Sequence, residues 1–343
     1  MKRFLNTLFV MTQKSYLRKD GDTVVVKVGG EVKLRVPLLT LSGIVCFGNV
    51  TVSPYLAGFA SERGVSISFL SQFGKFLARI QGPVAGNVLL RREQYRMTDD
   101  PVRTACVIRQ LLAGKFINCK TVLQRVLRDH GGKVDCRALE LVVKMLDKGL
   151  ERIQKEKEAD VLRGIEGELA RAYFGVFNEL ITTQKEDFVF QERSRRPPLD
   201  RVNALLSFAY TMLYHDMRSA IESVGLDPAV GFLHRDRPGR LSLALDLMEE
   251  MRPFFADRLA VSLINLKQID AKRFTISDSG AVLMDEQGRK TFLAAYQKRK
   301  QNAINHPFLQ EDMRIGILFC TQALLMARFI RGDLEAYPPF IWR

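Results

Sequence analysis

The sequence lacks the patterns that mark disulfide frameworks, zinc knuckles and membrane spans. Its 5 cysteines are odd in number, widely spaced and never arranged as C-x-x-C pairs, so we expect them to be reduced packing residues. No run of about 18 uncharged apolar residues occurs, and the N-terminus has no apolar signal core. These absences predict a soluble, cytoplasmic protein that does not bind membranes.

Familiar catalytic motifs are also missing. The chain has no Walker loop, no G-x-G-x-x-G, no G-x-S-x-G and no H-E-x-x-H helix. Nucleotide hydrolysis, serine-esterase chemistry and metallopeptidase chemistry therefore have little support.

Positive charge is in excess and the chain is long. Lys and Arg number 52 against 38 Asp and Glu, which gives a formal net charge of +14 and favours a polyanionic partner. The 343 residues exceed the roughly 250 that one hydrophobic core usually serves. Two domains and a nucleic-acid partner are the resulting expectations.

Residues 1–81 have a β-rich pattern. Short β-prone segments occur at 23–28 (TVVVKV), 32–36 (VKLRV) and 65–70 (VSISFL), with glycine-containing turns between them. One helix is predicted after Ser53, because a serine N-cap precedes Pro54 at the first helical position and Gly64 closes the segment. This part of the chain is predicted to be a small β domain with one helix.

Residues 82–87 (GPVAGN) contain two glycines and a proline and are predicted to be a linker. Helical periodicity dominates residues 88–343, with an interruption at Phe274–Met284 where β-prone residues flank Ser279-Gly280. We predict a β-hairpin there, standing out from the helices. The predicted fold is α+β, with a small β domain followed by a mainly α-helical domain that carries a hairpin insertion.

A group of acidic residues follows one histidine in the helical domain. His130, His215 and His306 have the surroundings of ordinary structural histidines, whereas His234 precedes a basic Pro-Gly loop and then a helix with Asp246 and Glu249. These two carboxylates are three residues apart and can share a helix face. One imidazole with carboxylates suits Mn²⁺ or Mg²⁺. The alternative is a solvated helix face on which the acids pair with Arg252.

Two further features bear on this hypothesis. Pro253 lacks the amide that would bond to the carbonyl of Glu249, which predicts a kink just after that residue. Glu166 lies in an apolar helical stripe, where a carboxylate requires a cation, a hydrogen-bond partner or a raised pKa. The flanking Gly164 and Gly167 suggest that something approaches the backbone closely. From spacing alone, Glu166 can be a metal ligand or half of a buried ion pair.

Basic clusters near these residues suit phosphate groups, because backbone binding needs charge and reach rather than a base-reading motif. The predicted DNA-binding residues are Arg193, Arg195, Arg196, Arg235, Arg237 and Arg240.

Three segments carry a family resemblance: RGIEGELARAYF, RRPPLDRVNALLSFAYTMLY and GLDPAVGFLHRDRPGRLSLALDLMEEMRPFFADR. They resemble the CRISPR-associated adaptation integrase, the endonuclease of spacer acquisition, and the match spans essentially the whole chain. The segments FLARI and GNVLLRREQYR most resemble the subtype I-C branch. By motif position, the family's metal ligands fall on Glu166, His234 and Glu249, with Asp246 the neighbouring acidic residue.

The resemblance implies a β-sandwich-like N-terminal domain that forms a homodimer and a helical catalytic domain that binds Mg²⁺ or Mn²⁺. It implies that the 3′-hydroxyl ends of double-stranded spacer precursor DNA are joined to CRISPR repeat DNA by transesterification, with hydrolysis when water attacks. It also implies a small ferredoxin-fold partner dimer and, in some subtypes, an Fe–S nuclease partner. The alternative function is a non-enzymatic, architectural DNA-binding protein whose acidic residues form salt bridges.

Overall fold

The computed structural model describes residues 6–72, 76–80, 82 and 88–342. These residues fall into two compact units. The first contains the described residues up to Gly82 together with residues 296–302 and 314–317, and the second contains the remainder. Except for Gly82, the predicted linker lies outside the described residues, so the linker stays a prediction. No sequence pattern indicated that two segments from late in the chain join the first unit.

The first unit contains eight strands and one complete α-helix among its described residues. The strands are β1 (Asn6–Val10), β2 (Ser15–Asp20), β3 (Thr23–Val28), β4 (Glu31–Pro37), β5 (Leu41–Phe47), β6 (Val50–Val52), β7 (Ser66–Leu70) and β8 (Phe76–Ile80), and the helix is α1 (Pro54–Glu62). One sheet has the order β4-β3-β2-β6 and the other β1-β5-β7-β8. Strands β2, β3 and β4 pair antiparallel, whereas β1, β5 and β7 pair parallel.

Local chemistry explains these elements. The Ser53 hydroxyl accepts a hydrogen bond from Leu56 N at 3.2 Å, which caps α1 as predicted. Gly64 has φ +68°, a left-handed conformation that glycine adopts without steric cost. Alternate residues of both sheets, such as Leu17, Ile44 and Ile67, join the apolar face of α1 in one buried cluster. The strands predicted at residues 23–28, 32–36 and 65–70 are all present.

The second unit is mainly helical. Its helices are α2 (Val88–Asp99), α3 (Pro101–His130), α4 (Cys136–Lys155), α5 (Ala159–Gly175), α6 (Arg201–Ser223), α7 (Ser242–Met248) and α8 (Arg258–Asn265); α9 (Glu286–Lys300) and α10 (Ile315–Ile330) each also extend into the first unit. The longest, α3, begins at an Asp100 cap and buries a continuous apolar face. None of the helices in the described part of the chain is long and apolar enough to cross a membrane. The prediction of a mixed α+β fold is confirmed.

Two hairpins interrupt the helices. Strands β9 (Phe274–Ile276) and β10 (Val282–Met284) form the predicted hairpin. It does not stand out from the helices, because Val282 and Met284 are buried and Val282 N donates to Pro198 O at 2.9 Å. A second hairpin, β11 (Ala303–His306) and β12 (Glu311–Arg314), was not predicted.

The helix that carries the acidic pair breaks where the sequence predicts. Helix α7 ends at Met248, a turn spans residues 249–251, and residues 252–257 form a π-helical segment before α8. Pro253 has no amide to donate to the preceding turn. Glu249 therefore lies at a helix break, where its side chain is not restricted to the regular surface of one helix.

Candidate metal and nucleic-acid site

The loop before α7 is wound around the Asp246 carboxylate. Asp246 is fully buried and accepts hydrogen bonds from the backbone amides of Phe232 (2.6 Å), Leu233 (3.0 Å) and His234 (2.9 Å). A Cβ on Gly231 would meet Asp246 Oδ2 at 2.8 Å, so only glycine allows this close approach. The buried negative charge is thus satisfied by donors of the loop that carries His234.

The same carboxylate orients the imidazole. His234 Nδ1 lies 2.7 Å from Asp246 Oδ1. A carboxylate accepts, so Nδ1 carries the proton and Nε2 of the neutral ring is left with its lone pair. Nε2 points toward Glu249, whose Oε1 is 3.8 Å away. Asp246 is occupied by these four contacts, and this arrangement suits a residue that positions a ligand rather than one that ligates.

Glu166 and Glu249 meet at a lysine that the sequence analysis did not single out. Lys115, on α3, is 7% exposed, and its Nζ contacts Glu166 Oε1 and lies 2.9 Å from Glu249 Oε2. Arg252 lies 2.5 Å from the other oxygen of Glu249. The structure therefore brings Glu166, His234 and Glu249 together, with one ammonium between the two carboxylates. One sequence signal was available, because Lys115 stands on the apolar face of a helix, between Leu111 and Cys119.

The charges of this cluster are mutually supporting. Burial opposes ionisation of Glu249, but Arg252 and Lys115 hold its pKa below the ordinary value. Burial also opposes the charge on Lys115, yet Glu249 and Glu166 together raise its pKa. The predicted pairing of Glu249 with Arg252 is present, but the pair is buried and not solvated.

The side chains of the site are of types that bind divalent cations, but Lys115 lies between two of the carboxylates that would have to share the ion. Two carboxylates and an imidazole nitrogen are suitable ligands, and no hydrogen bond of normal geometry reaches the buried Glu249 Oε2 from any described residue. Its contact with Lys115 is an ion pair without hydrogen-bond geometry. Within residues 6–72, 76–80, 82 and 88–342, no three His, Cys, Asp or Glu side chains converge closely enough to bind a metal ion directly. The lysine would have to move aside for Glu166 and Glu249 to share an ion.

Glu166 is held differently from the expectation. A Cβ on Gly164 or Gly167 would meet no described atom within 4 Å, so no described part of this chain approaches the backbone closely there, and an approach by a ligand stays a prediction. The contact between this part of α5 and the loop that carries His234 comes from Arg163, one turn before Glu166. Arg163 donates to Leu233 O at 2.7 Å and to Phe232 O at 2.8 Å, which fastens the histidine loop to the helix that carries Glu166.

The predicted DNA-binding arginines divide into two groups. The Arg193 guanidinium donates to Asn203 Oδ1 at 2.6 Å and to the Ser207 hydroxyl, so its assignment to DNA is not supported: it is an internal cross-link. The others lie at or near the surface; Arg195, Arg196, Arg235 and Arg237 are exposed, and Arg240 is half-buried. Arg235 also pairs with Asp160 at 2.6 and 2.7 Å.

A buried acid, Asp257, joins the elements next to the site through hydrogen bonds. Asp257 accepts hydrogen bonds from Tyr210 at 2.6 Å and from Tyr173 at 3.1 Å. The ring of Tyr210 lies 4.9 Å from the guanidinium of Arg252. Burial raises the pKa of Asp257 from 3.8 to about 6. The site thus rests on a hydrogen-bonded layer that spans α5, α6 and the π-helical segment.

The neighbouring Glu250 faces the other way, as the three-residue spacing of Asp246 and Glu249 predicts. It accepts from Tyr337 at 2.6 Å and from Phe340 N at 2.6 Å. Burial raises its pKa to about 7. Glu250 therefore anchors the C-terminal segment rather than the site.

The fold and the site together define an α+β protein with a basic composition and a cluster of two carboxylates and an oriented imidazole in its helical unit. The model of the family described as CRISPR associated protein Cas1 matches residues 8–298. The chain is 54% identical over 343 residues to the CRISPR-associated endonuclease Cas1 1 of Chlorobaculum tepidum, with 100% of both chains covered. It is 51% identical to the CRISPR-associated endonuclease Cas1 2 of Rhodospirillum rubrum, again over 100% of both. The chain belongs to the Cas1 family.

Solved structures share the fold. A Cas1 protein from Thermotoga maritima superposes with a TM-score of 0.81 at 22% identity, covering 97% of this chain and 98% of that one. A casposase bound to an integration product superposes with a TM-score of 0.84 at 21% identity, covering 98% and 94%.

We predict that Asp257→Asn changes the pH dependence of stability. A folded-state pKa raised from 3.8 to about 6 contributes stability that is fully present below about pH 4 and is lost as pH rises through 6. The unfolding free energy of the wild type, relative to the Asn variant, should therefore fall by about 2–3 kcal/mol between about pH 4 and 7. Urea unfolding across this range measures it.

The half-exposed Asp147, paired with Lys120, is the matched control. The fall of about 2–3 kcal/mol expected for Asp257→Asn should not be seen for Asp147→Asn, because ion pairs of partly exposed groups contribute only about 0–1 kcal/mol. A constant difference for Asp257→Asn would show that burial does not shift its titration.

Proposed function

We propose that this protein is a divalent-metal-dependent DNA endonuclease and integrase of CRISPR adaptation. The observation that carries the proposal is that Glu166 and Glu249 contact one ammonium, while Nε2 of the Asp246-oriented His234 lies 3.8 Å from Glu249. The family relatives named CRISPR-associated endonucleases supply the substrate class.

Glu166, His234 and Glu249 are the proposed ligands of Mg²⁺ or Mn²⁺. When bound, such an ion supplies Lewis-acid stabilisation of charge at a reacting phosphate. Asp246 keeps the proton on His234 Nδ1 and so keeps Nε2 available for ligation. Arg252 balances part of the negative charge of the buried Glu249, which limits its repulsion of the partly exposed Glu166.

The proposed reaction exchanges one phosphodiester bond for another. A DNA 3′-hydroxyl oxygen forms a bond to phosphorus at the CRISPR repeat, and the bond to the departing 3′-oxygen breaks as that oxygen takes a proton. With water as nucleophile, the same arrangement hydrolyses DNA. The casposase that shares the fold is bound to an integration product, and this supports strand joining as a use of the fold.

The proposed partners follow from the names of related proteins. Chains of the same fold occur in a Cas6-RT-Cas1–Cas2 complex, which supports a small ferredoxin-fold partner dimer. A relative in Geobacter sulfurreducens, 35% identical, is a Cas4 exonuclease/Cas1 endonuclease fusion, and this supports an Fe–S nuclease partner. Membership of the subtype I-C branch and a location in the prokaryotic cytoplasm belong to the same proposal.

A second function remains as the alternative: a non-enzymatic architectural DNA-binding protein. The ion pairs of Lys115 with both glutamates are what that alternative predicts. The two functions differ in whether strand joining depends on the site residues.

We predict that His234→Ala lowers strand joining at least about 100-fold, because even groups that only orient a metal ligand contribute 10- to 100-fold. DNA affinity should change little, since surface arginines and lysines supply it. Joining is measured with duplex DNA bearing free 3′ ends, a supercoiled repeat-containing target and Mn²⁺, and binding by fluorescence anisotropy.

His130, exposed at the C-terminal end of α3, provides the matched control, and His130→Ala should join at the wild-type rate. Wild-type joining by His234→Ala would remove the proposed metal mechanism. Weak binding by both variants would instead point to general damage.

Exposed arginines near the site should bind phosphates without reading bases. Arg237→Ala is expected to weaken binding to unrelated duplexes about equally and to reduce the slope of log affinity against log salt by about one. The internal Arg193 is the control. Its replacement should lower stability but leave the slope of log affinity against log salt unchanged. A changed sequence preference with an unchanged slope would contradict the prediction.

The first unit is proposed to form the homodimer through a sheet edge. Strand β4 is an edge strand, and its Val32 and Leu34 are 45% and 42% exposed, which is an arrangement that proteins usually cover. Leu34→Lys should weaken self-association, as measured by light scattering over a range of concentrations. Ile276→Lys, at a 73% exposed residue of β9, is the control. Equal dimerisation of both variants and the wild type would place the interface elsewhere.

A further inference from the structure

Lys115 is the charged group that the proposed reaction does not use. Its Nζ contacts Glu166, on α5, and Glu249, at the break after α7. These are two of the three proposed metal ligands. One ammonium therefore neutralises the same carboxylate oxygens that a divalent cation would need.

The backbone around Lys115 is firmly held. A Cβ on Gly114 would meet Pro339 Cβ at 2.8 Å and Glu250 Cβ at 3.3 Å. Asn118, one turn later, donates to Glu250 O at 2.8 Å and accepts from Trp342 N at 2.8 Å. A change at Lys115 must therefore occur in its flexible four-carbon side chain and not in α3 itself.

The charged groups that face this ammonium come from three elements: Glu166 on α5, Glu249 after α7 and Arg252 in the π-helical segment. Without an ammonium or another cation, the buried Glu249 and the partly exposed Glu166 would repel each other. With the ammonium in place, a divalent cation must first displace it. The ammonium and a divalent cation cannot bind the same pair of carboxylates at once. Each therefore lowers the affinity of the two carboxylates for the other.

We propose that Lys115 is a built-in competitor of the divalent cation, which holds Glu166 and Glu249 together in the metal-free protein and lowers their affinity for the metal. This inference rests on the proposed metal-dependent function. It assigns to one lysine two opposite effects, since the lysine stabilises the metal-free fold and weakens metal binding. A lysine with only a structural role would produce the first effect without the second.

The test uses the full chain with Lys115→Met, which keeps an unbranched side chain, one atom shorter than lysine, and removes the charge. Mn²⁺ binding is followed by electron paramagnetic resonance at pH 8, without DNA. Lys115→Met should bind Mn²⁺ at least about fivefold more tightly than the wild type, the lower end of typical coupling between sites. In EDTA it should unfold at a lower temperature, and Mn²⁺ should raise that temperature more than it does for the wild type.

Lys120 is the matched control, because it lies on the same helix and pairs with the half-exposed Asp147 at 2.5 Å. Lys120→Met should bind Mn²⁺ like the wild type. Equal or weaker Mn²⁺ affinity of Lys115→Met would overturn the proposal while leaving the metal mechanism intact. Absence of Mn²⁺ binding by wild type and Lys115→Met alike would overturn both.

A second measurement needs no variant at Lys115. Lysine acetylation of the wild-type protein, read by mass spectrometry, should rise at Lys115 when Mn²⁺ is added and remain constant at Lys120. A rate at Lys115 that does not respond to Mn²⁺, under conditions where the ion binds, would overturn the displacement of the ammonium even if Lys115→Met does not fold.

Discussion

The geometry of the site depends on one buried carboxylate, that of Asp246. Asp246 is fully buried, and its two oxygens receive three backbone amides and the Nδ1 of His234. An ionised carboxylate in such a place is tolerated only when its acceptor capacity is filled. The loop of residues 231–234 fills that capacity, so the loop conformation, the tautomer of the histidine and the direction of Nε2 all follow from this requirement.

Three acids close together in sequence show how partners decide the charge of a buried group. Glu249 faces Lys115 and Arg252, and its pKa is held below the ordinary value. Glu250 meets only neutral donors from Tyr337, Gln322 and Phe340, and burial raises its pKa to about 7. Asp257 likewise meets two tyrosine hydroxyls, and burial raises its pKa to about 6. Cationic neighbours thus keep negative charge on the proposed metal ligand Glu249, and neutral hydrogen bonds serve where the acid only joins segments.

The features of the fold that depend on neighbouring residues were predicted from the sequence. The Ser53-Pro54 helix start, the β-rich segments and the break near Pro253 each depend on residues a few positions apart. Contacts between distant residues were less accessible: Lys115 and Glu166 are 51 residues apart, and nothing in either segment specifies the pairing. The hairpin at residues 303–314 was missed because AINH and EDMR lack β-prone alternation. Arg193 was assigned to the surface from composition, although Asn203 and Ser207 bind it internally.

The residues of the cluster are supported in two ways. Glu166 and His234 are joined through one arginine, whereas Glu249 follows a helix break. Glu166 and Arg163 stand one turn apart on α5, and Arg163 holds the carbonyls of Phe232 and Leu233, so Glu166 and the imidazole of His234 share one support. Glu249 instead follows the end of α7, and its charge is balanced by side chains from two other elements. Because preorganised groups lose little freedom on binding, this shared support suits the proposed role of Glu166 and His234 as metal ligands. The positive charges that Glu249 faces in this structure are those of Lys115 and Arg252.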